Sequence, residues 1–187
     1  MKIKQLDEIL ANKIAAGEVI ERPANVVKEL VENSIDASSS KIDIIIEEGG
    51  MNLIEIVDDG LGMDQEDAKL CFSRHATSKI TNDQDLFCIQ TLGFRGEAIP
   101  SIASISHFEL KTSDGQSGST VVYEFGKFIE QKQSDLKRGT KITVTKLFQN
   151  VPARLKYVKS VNAEFAHIQN YVEKLSLSHP DIAFTLM

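Results

Sequence analysis

KIDIIIEEGGMNLIEIVDD, residues 41–59, decides the fold. Two β-branched runs, 41–48 and 52–59, are separated only by Gly49-Gly50-Met51, which is a hairpin signature. The two strands should therefore be antiparallel neighbours. Upstream, Pro23 sits where a helix can begin, since its missing N–H is not needed in the first turn. Val26, Val27, Leu30, Val31 and Ile35 then mark the apolar side of a helix ending near Asp36. Residues 6–20, with Leu6, Ile9, Leu10, Ile14 and Val19 loosely spaced, read as helical in part.

Downstream, Asp64 can cap a helix running to about Phe72, with Glu66 and Asp67 in its first turn. Residues 73–96 are mostly polar and read as a loop with one short helix around 82–88. The run EAIPSIASIS should be helical from Ala98 or Ile99, which keeps Pro100 in the first turn. Four strand-like runs follow at 107–112, 119–125, 127–133 and 140–147, then a helix from Val161 to Leu177 and a strand within DIAFTLM. Consecutive strands joined by short turns favour a mixed, largely antiparallel sheet with helices on one face, an α+β two-layer sandwich. A doubly wound parallel sheet would need strands and helices to alternate throughout, and the middle of the chain does not supply them.

The 187 residues suit one domain with a substantial core. An apolar share of 42% and a charged share of 26% are ordinary for a globular protein, and no apolar run reaches the ~18 residues of a membrane span. The first residues lack the apolar core of a signal peptide. Cys71 and Cys88 carry no partner motif and read as thiols in a reducing cytosol. The net charge of −6 argues against nucleic-acid binding all over the surface. Residues 131–160, however, hold eight basic side chains against Asp135 alone. Such a segment is either a phosphate-backbone footprint, with Lys137, Arg138 and Lys159 as its contacts, or a solvated face.

Glu29, Asn33 and Asp36 recur at i, i+4 and i+7 and share one helix face. Asn33 offers an uncharged oxygen that suits Mg²⁺, an ion taking most of its ligands from water and phosphates. Glu29 lies one turn away, within reach of a water near a terminal phosphate. Asp58 can accept a hydrogen bond from an exocyclic amine, which selects adenine, while Gly60 and Gly62 leave room for a base. Lys79 and Arg95 are candidate charge partners, and the turn at 93–98 can offer backbone N–H groups to phosphates. Each feature alone has a plain alternative, a solvated helix face or an ordinary turn. Their order within seventy residues points to a nucleotide site. The P-loop, GxGxxG, HExxH and paired CxxC patterns are absent, and His75 reads as a surface residue.

The series ELVENSIDA, DDGLGM, RHATSKI, LGFRGEAIPSIASI and LFQNVPARLKY, with the opening IKQLDEILANKIAAGEVIERP, resembles the N-terminal ATPase domain of MutL-type DNA mismatch repair proteins. More broadly it resembles the superfamily of gyrase B, Hsp90 and histidine kinases. The resemblance covers nearly the whole chain and implies a single ATP-binding domain over 1–187, with 1–22 as a dimerisation segment and 73–96 as a lid. It implies that Glu29 is the general base, Asn33 the Mg²⁺ ligand, and Asp58 the adenine-reading carboxylate with Gly62 beside the base. Thr77, Ser78 and Lys79 match the lid that orders over ATP, Gly93, Phe94, Arg95 and Gly96 the phosphate turn, and Gly139-Thr140 a pair near the adenine. Gln149 and Val151 depart from the tyrosine and threonine more usual in that motif. The family's second domain, which supplies a lysine to the terminal phosphate, and its C-terminal dimerisation region have no counterpart in these residues.

The implied activity is slow Mg²⁺-dependent ATP hydrolysis that orders the lid and drives homodimerisation. The implied partners are DNA bound non-specifically, a mismatch-recognition protein and downstream repair enzymes, all in the bacterial cytosol or nucleoid and away from membranes. Two other classes compete: a signalling kinase or topoisomerase ATP domain, and a DNA-binding module using nucleotide as a structural ligand. IAAGEVIERP and GFRGEA are not expected of a histidine kinase, and NVPAR would be accidental in a topoisomerase.

Overall fold

Strand β1 (Lys41–Glu47) pairs antiparallel with β2 (Leu53–Asp58), from Ile42 opposite Asp58 to Glu47 opposite Leu53. The connection tightens into a 3-10 turn, Glu48–Gly50, in which Gly49 and Gly50 take φ of 65° and 89°. Such left-handed backbone is where glycine is favoured. The structure, a computed structural model, describes residues 16–17, 19–74, 76 and 96–187. The short helix expected around 82–88, most of the 73–96 loop and Cys88 lie outside the described residues, as does the segment before Ala16.

The remaining strands are β3 (His107–Ser113), β4 (Gly118–Glu124), β5 (Lys127–Gln133), β6 (Gly139–Thr145) and β7 (Ala183–Leu186). They form one seven-stranded sheet in the order β5-β4-β3-β6-β2-β1-β7. Every pairing is antiparallel except β7 against β1, which is parallel. The chain reaches that far edge after two helices, α4 (Pro152–Leu155) and α5 (Val161–Ser178).

Alternation of side chains makes the sheet two-faced. Ile42, Ile44, Ile54, Ile56, Phe108, Leu110, Ile142 and Val144 are buried on one face. Lys41, Asp43, Glu55, Glu109, Lys111, Lys141 and Thr143 alternate with them along the same strands. Helix α1 (Pro23–Asp36) lays Val26, Val27, Leu30 and Val31 onto the apolar face, and α5 adds Ile168, Val172 and Leu175 beside it. Burying each such side chain stabilises by about 1.5–3 kcal/mol. The α+β two-layer sandwich is the observed architecture.

Helix α2 (Gln65–Leu70) starts as expected, with Asp64 accepting from the N–H groups of Glu66 and Asp67. It stops two residues before Phe72, because that ring leaves the helix to pack on the sheet. Phe72 stacks on Tyr123 with centroids 4.2 Å apart and meets Phe108 edge-on at 5.5 Å. Cys71 is a free thiol that donates to the Ala68 carbonyl, and burial pushes it up to about 12. Helix α3 (Ala98–Ser104) holds Pro100 in its first turn. Among the described residues no helix is long and apolar enough to cross a membrane.

Ala16 and Ile20 are fully buried, so this part of the N-terminal segment belongs to the core. Arg154 of α4 fixes it there, its guanidinium donating to the Ile20 carbonyl at 2.9 Å and to the carbonyl of Gly17.

Candidate functional site

Asp58 ends β2 on the buried face, 7% exposed. Thr140 of β6 lies beside it in register, and Thr112 of β3 beside Thr140, so the three form a polar row across an otherwise apolar floor. The threonine hydroxyls are 3.1 Å apart, and Thr112 Oγ1 also accepts from the Met63 N–H at 2.9 Å. Ser34 Oγ donates to Asp58 Oδ2 at 2.8 Å, and the Gly60 N–H donates to Oδ1 at 3.0 Å. Ser34 also lies 3.2 Å from the Leu30 carbonyl, but a hydroxyl has one proton and the carboxylate is closer and charged. Burial pushes the Asp58 carboxyl up, and the bonds from Ser34, Gly60 and Ser39 partly offset it. Carboxylate oxygens have several lone pairs, so Asp58 keeps acceptor capacity for an incoming amine.

The adjacent aspartate does different work. Asp59 accepts from Ser40 Oγ at 2.5 Å and from the backbone N–H groups of Ser40 and Lys41 at 2.8 and 2.9 Å. The Ser40 bond leads in holding its carboxyl below the usual range, and the residue fastens the start of β1.

Glycines 60 and 62 answer to the chain itself. A Cβ at Gly60 would sit 2.6 Å from Ser39 Oγ and 2.8 Å from the Ala37 carbonyl oxygen. At Gly62, where φ is 68°, it would overlap the Ser113 carbonyl, and at Gly139, where φ is 95°, that of Asp58. Space for a base was the expected reason; close packing of the chain against itself at these positions is a second one. The Leu61 N–H also bonds the Ala37 carbonyl at 2.9 Å, tying this turn to the end of α1.

Glu29, Asn33 and Asp36 share one side of α1 and are all half-buried. Lys28 Nζ lies 3.2 Å from Glu29 Oε1 and 3.1 Å from Glu32 Oε2. Gly96 takes φ of 61° just ahead of α3. Thr77, Ser78, Lys79, Gly93, Phe94 and Arg95 lie outside the described residues. Among the described ones, no three His, Cys, Asp or Glu side chains converge on a metal position. A cation here would draw most of its ligands from water and phosphate, and that fits Mg²⁺ with a single amide oxygen.

A cleft of about 520 Å³ opens elsewhere, between α1 and α5, where Arg22, Asn25, Lys28, His167, Tyr171 and Lys174 line it; Asp58 does not.

The basic segment does not form one face. Lys141 pairs with Glu55 at 2.8 Å, Lys146 with Glu124 at 2.7 Å and Lys132 with Glu130 at 2.7 Å, while Arg154 is turned onto backbone carbonyls. Lys137 and Arg138 are exposed on the turn before β6, at the Asp58 end of the sheet. Lys159 precedes α5, whose first residue, Val161, packs against Gly49 at the hairpin end. A strand of this length separates the two ends by about 20 Å. Charge counted along the chain missed these pairings, as it missed Ser34 and Thr112. Ser34 sat unremarked within ENSIDA.

Residues 20–156 match the family of histidine kinase-, DNA gyrase B-, and HSP90-like ATPases, and the chain belongs to that family. Within it, the chain is similar to the DNA mismatch repair protein MutL. It is 57% identical over 183 residues to that of Listeria monocytogenes, covering 97% of this chain and 30% of that protein. It is 55% identical over 186 residues to that of Bacillus pumilus, covering 99% and 29%. The chain thus spans about 30% of the length of the curated relatives it matches. The Aquifex aeolicus MutL ATPase domain complexed with ADP superposes with a TM-score of 0.70 at 29% identity, covering 90% of this chain and 60% of that one.

Proposed function

We propose that this chain is the nucleotide-driven switch of a DNA mismatch repair protein, binding Mg²⁺-ATP and hydrolysing it slowly. The observation that carries the reading is Asp58, a buried carboxylate on the sheet floor beside Thr140, in a family with a structural neighbour complexed with ADP. Asp58 accepts from the adenine amine, with Thr140 and Gly62 at the same end. Asn33 offers its amide oxygen to Mg²⁺, which when bound neutralises phosphate charge. Asp36 and Gly96 contribute to nucleotide binding, as do Thr77, Ser78, Lys79, Gly93, Phe94 and Arg95. Glu29 takes the proton of the attacking water. Hydrolysis is slow because phosphoryl transfer rests on positioning and charge stabilisation, and the family brings one cation from a further domain. Single-turnover hydrolysis of ATP labelled at the γ-phosphate tests the reading. Release of labelled phosphate supports it, and tight binding without release favours a structural nucleotide instead.

ATP orders residues 73–96 and settles segment 1–22, through which two copies pair. The segment 73–96 has few apolar side chains to bury and several that suit phosphate. Amide exchange over 73–96 should slow when Mg²⁺-ATP is added; exchange unchanged by nucleotide would count against the switch.

The bound state then engages DNA, a mismatch-recognition protein and downstream repair enzymes in the cytosol. DNA binding is modest and non-specific, through phosphate contacts from Lys137, Arg138 and Lys159. Their replacement by alanine should weaken matched and mismatched duplexes alike and reduce the salt slope by up to about 3. Unaltered binding in that variant would show these side chains to be only solvated, while a loss confined to mismatched duplex would mean lesion reading.

A further inference from the structure

Glu32 is a carboxylate held between two helices. It is 8% exposed, and a buried charge must find partners for its oxygens. Both oxygens have one. Tyr171 of α5 donates its hydroxyl to Oε1 at 2.6 Å, and Lys28 donates to Oε2 at 3.1 Å. The same Lys28 ammonium donates to Glu29 Oε1 at 3.2 Å. Four side chains thus make one connected path from α5 to the carboxylate read above as the general base.

Geometry gives the path a direction. Adjacent residues on a helix do not face each other, so Lys28 has no inherent reason to rest on Glu29. Its pairing with Glu32 is the favourable i, i+4 contact, and Glu32 is in turn fixed by the short Tyr171 bond. Lys28 is partly exposed on a flexible stem, and an ion pair made by such a side chain alone is weak. The second anchor turns a wandering lysine into a fixed one. Protonation agrees with this arrangement. Burial works to lower the Lys28 ammonium, but Glu29 and Glu32 outweigh it and hold it above its usual value. Burial first, then the bond to Glu32, pushes the Tyr171 phenol well up, so it stays a donor.

We propose that Lys28, Glu32 and Tyr171 are positioning residues for hydrolysis: Tyr171 fixes Glu32, Glu32 fixes Lys28, and Lys28 holds the Glu29 carboxylate where it meets the attacking water. The inference rests on the reading of Glu29 as the base. None of the three residues belongs to the Asp58 end, so they act on the chemical step and leave adenine recognition alone. Misplacing a reacting group by about an ångström can cost ~10²-fold in rate.

Tyr171→Phe keeps the ring and removes only the hydroxyl; Lys28→Met keeps the stem and removes only the charge. Each is measured for single-turnover hydrolysis, for ATP affinity and for Tm, at a temperature where the variant is folded. The rate should fall roughly 10- to 100-fold with affinity within about twofold of the parent. The double variant should be no slower than the slower single one, because both changes break the same path. Glu29→Gln provides the separate control. If it hydrolyses at the parental rate, the base assignment itself fails. If it is inactive while Tyr171→Phe and Lys28→Met both hydrolyse at the parental rate, the positioning role is overturned and the base assignment stands. Additive losses accompanied by weaker ATP binding would likewise overturn it, since they would show that the network only holds the two helices together.

Discussion

Glu29→Ala should bind ATP as the parent does and hydrolyse it about 10²–10⁴-fold more slowly. A general base acts in the transition state and is not needed to hold the ground state, so the loss should appear in the rate and leave affinity in place. The fold should tolerate the change. Glu29 is half-buried on α1, outside the fully buried set of Val26, Val27, Leu30 and Val31, and alanine is the best helix former at such a position. Removing this carboxylate also frees Lys28 from one of its two acceptors, while the pair with Glu32 remains. Equilibrium binding of labelled ATP followed by single-turnover chase separates the two steps. Parental hydrolysis in the variant would mean that another group activates the water; failure to bind would make Glu29 a structural residue.

The sheet and its two main helices were legible because they follow from local periods. Ile42, Ile44, Ile54 and Ile56 alternate, and Val26, Leu30 and Val31 recur at helical spacing, so each element announces its buried side. The helix face of Glu29, Asn33 and Asp36 was legible for the same reason. What the pattern could not show is where elements far apart in sequence meet. A separation of 139 positions hides the bond between Glu32 and Tyr171, and Thr112 reaches Thr140 only because β3 and β6 are neighbours. The parallel seat of β7 on β1 depends on α5 first crossing the sheet, which no turn residue encodes.

The basic run at 131–160 was only partly legible for a related reason. Charge summed along the chain assumes that neighbours in sequence act together. A strand sends alternate side chains to opposite faces, and each lysine then meets whatever its own face offers. Lys141 finds Glu55 across β2, Lys146 finds Glu124, and Arg154 spends its donors on the carbonyls of Gly17 and Ile20. The glycines have a reason that the sequence did not show. Gly60 and Gly62 read as openings for a ligand, and their missing side chains also admit Ala37 and Ser113.

Asn33→Ala should abolish detectable binding of Mg²⁺-ATP, raising Kd by more than about 100-fold. Partners that merely support a metal ligand cost roughly 10–100-fold in affinity when removed, and a direct ligand at a site with few should cost more. Few are available here, since no three acidic, histidine or cysteine side chains converge among the described residues. Asn33 lies in the last turn of α1, between Glu32 and Ser34, whose partners are Tyr171 and Asp58. Alanine at that position leaves both of those bonds in place and favours the helix. Binding is compared at a temperature where parent and variant are both folded. Titration with ATP should be run with and without Mg²⁺: the parent should lose affinity when the ion is withdrawn, and Asn33→Ala should be insensitive to it. If parent and variant bind Mg²⁺-ATP equally, Asn33 does not hold the metal, and the polar face of α1 has to be reassigned from nucleotide binding to solvation.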